Sequence, residues 1–195
     1  MKIDVRPGFR EADRAAIAEL FLDAFGRKLA PSLGTDDRAH RFIAQGLRPE
    51  FGFSALDETG TLLGAAGIKT EKGGFLSGTY SDLRAIYGTF GAIWRGAILD
   101  QFERKLAPGV MQMDGIFVAA SARGLGVGTS LLDAVVWTAR MNRCREVRLE
   151  VIAENARAQA LYLRYGFRRV GVVKTGLLRP VMGFREADTM ALDLS

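Results

Sequence analysis

The stretch Ala122–Leu132, ARGLGVGTSLL, constrains the fold of this chain more than any other. Three glycines, Gly124, Gly126 and Gly128, alternate with other residues. An apolar, β-branched run, MQMDGIFVAA, comes just before. Directly after, Val127, Leu131, Leu132, Val135, Val136 and Ala139 repeat at helical spacing to about Arg140. Glycine suits positions where the backbone must turn tightly or approach something closely. A strand, a glycine turn and a helix in that order present unpaired backbone N–H groups at the positive end of the helix. Such an end binds phosphate.

Two phosphate-binding patterns do not fit. The dinucleotide fingerprint GxGxxG matches Gly124 and Gly126 but requires glycine or alanine where Thr129 stands. It also belongs to an early strand, and this loop lies two-thirds along the chain. The P-loop ends in GK[ST], and no lysine is near.

The rest of the chain alternates strands and helices. IDVRPG reads as a first strand ended by Pro7-Gly8, and Glu11–Phe25 as a helix with Ile17, Leu20, Phe21 and Phe25 on one face. A second helix is expected over Asp36–Gln45. FGFSALD and TLLGAAGIKT flank ETG, a hairpin signal. REVRLEVI is a strand. Asn155 can cap a helix running to Tyr165 that Gly166 ends. FRRVGVV and DTMALDL are two last strands. The order predicts an α/β (α+β) fold, one mixed central sheet flanked by helices, as a single domain over residues 1–195.

Composition narrows the partners. A net charge of +5 favours an anionic partner: nucleic acid, a membrane or a phosphorylated small molecule. The densest basic stretch, RMNRCREVR, sits between a helix end and a strand start, where the macrodipole already favours cations. The charge therefore does not call for nucleic acid. No run of about eighteen apolar residues could span a bilayer. The N-terminal stretch lacks the pattern of a secretory signal. A lone cysteine, Cys144, cannot form an intrachain disulfide, which fits a reducing, cytoplasmic setting. There is no cluster with metal-ligand spacing.

Arg123-x-x-Gly126-x-Gly128 has the form [QR]-x-x-G-x-[GA], and LEVIAENARAQALYLRYGFRRVG follows at a matching distance. Together these motifs resemble the GNAT superfamily of N-acetyltransferases, strongly over Met111–Val173 and loosely over the first seventy residues. The resemblance implies two splayed parallel strands with coenzyme A between them. It implies loop amides of Arg123, Gly124, Leu125, Gly126, Val127, Gly128 and Thr129 around the pyrophosphate. It also implies main-chain pairing of Ile116, Phe117 and Val118 with pantetheine, with N–H groups near Phe117 and Val118 polarising the thioester carbonyl.

Acetyl-CoA would then be the cosubstrate of a transferase, without a metal, that acetylates a primary amine of a small molecule or of a protein N-terminus. The alternative is a sensor domain that binds acyl-CoA without transfer. The resemblance places a thiol-protonating tyrosine at Tyr162, since a phenol stays protonated at neutral pH. A base for the ammonium is Glu150, or Asp114 through water, or a water chain. Alternation puts Asp114, Ile116 and Val118 on one sheet face. Asn155 either caps its helix or touches pantetheine. His40 reads as a surface helix residue, and Cys144 has no partner that would activate it.

Residues 71–110 exceed the usual link in this family. Leu83, Ile86, Tyr87, Phe90, Trp94, Ala97, Ile98, Phe102 and Leu106 fall on one helical stripe, with Gly88 and Gly91 suggesting a break. This helical insertion could cover the acceptor site, with Tyr80, Tyr87, Phe90 and Trp94 suited to an apolar or ring-bearing acceptor. It could instead form a homodimer interface or pack on the sheet.

Overall fold

The computed structural model describes residues 2–99, 106–176 and 184–195. Its strands are β1 (Asp4–Pro7), β2 (Gly52–Leu56), β3 (Leu62–Thr70), β4 (Gly73–Gly74), β5 (Val110–Val118), β6 (Glu146–Ile152), β7 (Arg168–Lys174) and β8 (Glu186–Asp193). Its helices are α1 (Arg14–Leu33), α2 (Asp37–Gly46), α3 (Tyr80–Leu99), α4 (Val127–Met141) and α5 (Ala156–Tyr165). The strands form one mixed sheet in the order β1-β2-β3-β5-β6-β8-β7, with β4 paired to β3. β5 and β6 pair parallel, and the other pairings are antiparallel.

Local chemistry explains the boundaries. Asp36 caps α2 by accepting from the Arg38 N–H at 3.1 Å. In the β2–β3 turn the Asp57 carboxylate accepts from the N–H groups of Thr59 and Thr61, both at 2.9 Å, and Gly60 takes a left-handed φ of 81°. α1 outruns its expected end at Phe25 and reaches Leu33. Its last turns bury Leu29 and Leu33 among α2 and α3, and this packing carries the helix through Gly26 and Pro31.

The sheet separates two cores. On one face, α4 and α5 bury Val127, Leu131, Leu132, Val135, Tyr162 and Phe167 against Met111, Met113, Val147, Leu149 and Val151. On the other, α1, α2 and α3 bury Ile17, Phe21, Phe42, Ile43, Leu83 and Ala92 against Ala65, Phe75 and Phe117. Gly52, Gly67 and Gly115 stand side by side across β2, β3 and β5. A methyl on Gly67 would lie 2.5 Å from the Phe75 ring, and one on Gly115 would lie 2.6 Å from the Phe25 ring. The glycine row is therefore a groove in the sheet that two phenylalanines fill.

α3 breaks at Gly88, whose φ of 72° and ψ of 173° are not helical. The single stripe expected for it does not survive that kink. Leu83 and Ala92 face the core, whereas Phe90 is 88 % exposed and Ile93 and Trp94 also lie outside. Phe102 of that stripe falls outside the described residues. α3 rests on α1 and α2, and the Tyr87 hydroxyl donates to the Leu33 carbonyl at 2.7 Å. No helix among the described residues is long and apolar enough to cross a membrane.

Candidate active site

β5 and β6 pair at Val110–Glu146, Met111–Val147, Gln112–Arg148 and Met113–Leu149, and there the pairing stops. β5 continues to Val118 along β3, and β6 continues to Ile152 along β8. The two strands thus part in the middle of the sheet, and each keeps a backbone edge facing the other. The Ala119 N–H donates to Leu63 on β3 at 2.9 Å. Backbone groups of alternate residues face opposite neighbours, so Phe117 also faces β3 while Ile116 and Val118 face the opening. Phe117, expected beside Val118 as a donor to the thioester, has its backbone turned to β3.

The chain leaves β5 through a 3₁₀ turn at Ala120–Ala122 and enters the glycine loop. Gly124 and Gly126 have φ of 86° and 87°, which favour glycine, and a Cβ at either would stand in open space. The Arg123 Nε donates to the Val118 carbonyl at 3.2 Å, tying the loop to the end of β5. Gly126 caps α4, and the first helical bond runs from Ser130 to Gly126 at 3.0 Å. The N–H groups of Val127, Gly128 and Thr129 have no acceptor within the helix, and a glycine cap has no side-chain oxygen to offer them. Leu125 and Thr129 are exposed, whereas the Val127 side chain is buried in the core and leaves only its N–H for a ligand. Gly128 has a different reason from its neighbours. A methyl there would stand 3.0 Å from Leu161 Cδ2, so this glycine sets how closely α4 approaches α5.

Tyr162 and Glu150 lie on opposite faces of the sheet. Tyr162 on α5 belongs to the α4-side core, 6 % exposed, with its ring 5.8 Å from that of Phe167. Burial pushes its phenol up to about 12. Glu150 follows Leu149, the last paired residue of β6, and alternates with Leu149 and Val151, which face the α4-side core. Its side chain therefore stands on the α1 side. Asp114 departs from the expected alternation. The register of β5 against β3 shifts between Gly67 and Ile68, leaving Asp114 as a bulge. Met113 and Gly115 consequently face opposite sides, and Asp114 does not share a face with Ile116 and Val118 by simple period. The Asp114 carboxylate accepts from the Phe75 N–H at 3.3 Å.

Asn155 caps α5, accepting from the Ala158 N–H at 3.1 Å. His40 is half-buried on α2, with Nε2 3.2 Å from the Ala15 carbonyl oxygen, a link between α1 and α2. Burial pushes the Cys144 thiol up, with Glu71 adding to the shift, which disfavours the nucleophilic thiolate. The sequence placed Phe21 and Phe25 on one face of α1 but gave no signal that they would meet Phe75 and Phe117. Phe21, Phe25 and Phe75 surround Phe117 with ring centroids 5.2, 5.6 and 6.0 Å away. These residues are far apart in the chain and meet only once the sheet has formed. Equally unforeseen is the bond from the Tyr165 hydroxyl to Asp133 at 2.7 Å, which fastens α5 to α4.

The Acetyltransferase (GNAT) family model matches residues 14–167. No curated protein matches the sequence. Among solved structures, the chain is similar to a GCN5-related N-acetyltransferase from Kribbella flavida, with 21 % identity, a TM-score of 0.63 and 98 % of each chain covered. It is similar to the ribosomal-protein-alanine N-acetyltransferase from Brucella melitensis, with 22 % identity, a TM-score of 0.63 and coverage of 98 % of this chain and 99 % of that one. It is also similar to an N-acetyltransferase from Staphylococcus aureus Mu50, with 18 % identity, a TM-score of 0.65 and both chains covered in full at 100 %.

Proposed function

The chain belongs to the acetyltransferase (GNAT) family, and from that membership we propose that it transfers an acetyl group from acetyl-CoA to a primary amine of a small molecule or a protein N-terminus. The observation that carries the reading is the end of β5–β6 pairing at Met113 and Leu149, with the opening running towards the glycine loop. The open space at Gly124 and Gly126 and the three free N–H groups of α4 fit a pyrophosphate. The Ile116 main chain, which faces the opening together with the Val118 N–H, fits the amides of a pantetheine arm in the manner of an added strand. The Asn155 Nδ2 can donate to the same arm while its Oδ1 caps α5.

Acetyl-CoA supplies the acetyl group as a thioester. The amine nitrogen bonds to the carbonyl carbon, the C–S bond breaks, the amine gives up one proton and the sulfur gains one. An alkylammonium with a pKa of about 10 must first be deprotonated. Glu150 takes that proton on the α1 side; Asp114 acting through water is the other candidate. Val118 N–H, preset at the opening, stabilises charge developing on the carbonyl oxygen. Tyr162 returns a proton to sulfur from the α4 side.

The test is thiol release from acetyl-CoA with a panel of primary amines. Turnover with at least one amine is expected. Tight acetyl-CoA binding with no turnover on any amine would replace this reading with that of a sensor.

A further inference from the structure

The geometry points to Phe25 as the residue that limits the size of the acyl group, an inference that rests on the acyl-CoA reading above. Gly115 lies two residues past the last β5–β6 pair, on the strand that borders the opening. The Phe25 ring is seated against it on the α1 side. A methyl group on Gly115 would stand 2.6 Å from Phe25 Cζ. The ring is held there from two directions. Phe21 lies 5.2 Å away, and Phe117 meets it edge-on at 5.6 Å with an interplanar angle of 82°. Phe117 in turn stacks on Phe75, which fills the glycine row at Gly67. The wall beside the throat is thus braced by aromatic packing back to β2 and β3.

A thioester carbonyl held by main chain at Val118 directs its alkyl tail towards the throat, where the strands rejoin at Met113 and Leu149. On the α1 side of that path stands Phe25. Along that path each methylene added to an acetyl group would extend the tail towards the ring seated at Gly115. The wall also explains a glycine at 115, since any side chain there would displace the ring. In the transfer itself the ammonium first gives one proton to the base, the carbonyl carbon then exchanges its bond to sulfur for one to the amine nitrogen, the nitrogen sheds its second proton to solvent as the amide forms, and the leaving sulfur takes a proton from Tyr162, which is reprotonated from solvent. Phe25 takes no part in those proton movements and acts on acyl size alone.

The experiment is calorimetric titration of acetyl-CoA, butyryl-CoA and free coenzyme A into the wild type, Phe25→Ala and Phe25→Leu. The wild type should bind acetyl-CoA at least about tenfold more tightly than butyryl-CoA. Phe25→Ala should bring the two within about threefold by gaining butyryl-CoA, while free coenzyme A binds as before. Phe25→Leu, which keeps an apolar wall and guards against loss of fold, should fall between. An unchanged acetyl-to-butyryl ratio in both variants, or a wild type indifferent to chain length, overturns the gate while leaving the acyl-CoA reading intact. Absence of binding by all three ligands to the wild type overturns both.

Discussion

Met113 on β5 and Leu149 on β6 are the last residues to pair before the two strands part. Both are buried on the α4 side. The next residue of β6, Glu150, therefore stands at the fork on the opposite face.

That position makes Glu150 testable by pH. In Glu150→Gln the amine must lose its proton to solvent. Turnover should fall about 100-fold at neutral pH and recover as the pH approaches the amine's pKa of about 10. A carboxylate with only a structural role would lower stability without reshaping the pH–rate profile. Asp114→Asn, measured alongside, should keep the wild-type profile, and a reversal of the two results would move the base to Asp114.

Tyr162→Phe removes the proton donor and keeps the buried ring. We expect kcat to fall about 100-fold with little change in acetyl-CoA affinity. Stability provides a second readout. The unfolded phenol ionises near pH 10 and the folded one at about 12, so between these values the folded state holds a proton that the unfolded state has lost. The stability this contributes is complete below pH 10 and falls as the pH rises towards 12, by on the order of 3 kcal/mol. Urea unfolding across that window should show a smaller alkaline loss in Tyr162→Phe than in the wild type.

Gly126 separates charge from backbone strain. Its φ of 87° penalises most side chains, but Asn and Asp tolerate the left-handed region better than others. Gly126→Asn and Gly126→Asp differ chiefly in charge and should fold equally well. Coenzyme A affinity should survive in part in the first and be lost in the second, as measured by titration. Equal affinity in both would mean that the glycine serves the turn alone.

Tyr165→Phe should loosen α5 from α4 by deleting the bond to Asp133. A loss of about 1 kcal/mol is expected. That corresponds to a fall in Tm of about 2–4 °C for a chain of this size. Because Gly128 and Leu161 meet at the same helix pair, a larger loss than this would show that the clasp also holds the loop.

Much of the scaffold was legible because it is local. The strand–glycine–helix order, the Asn155 cap, the Gly166 stop and the Gly88 break each depend on residues within a few positions of one another. The glycine turn and the α5 segment that carry the two motifs were legible for the same reason. Asp114 was not, because a β-bulge is a property of the pairing between β5 and β3. The outward turn of Phe90 and Trp94 follows the left-handed φ of Gly88; the glycine was visible in sequence, but not the direction of the bend.

The sequence by itself determined which segments become strands and helices, where the glycine turn between β5 and α4 stands and which residue types are available for proton transfer. These follow from periodicity, glycine's freedom of φ and capping chemistry. Only the tertiary structure decided that Tyr162 and Glu150 face opposite sides of the sheet. It alone brought Gly52, Gly67 and Gly115 into one row under two phenylalanine rings, because strand register is set between distant segments by packing on both faces at once.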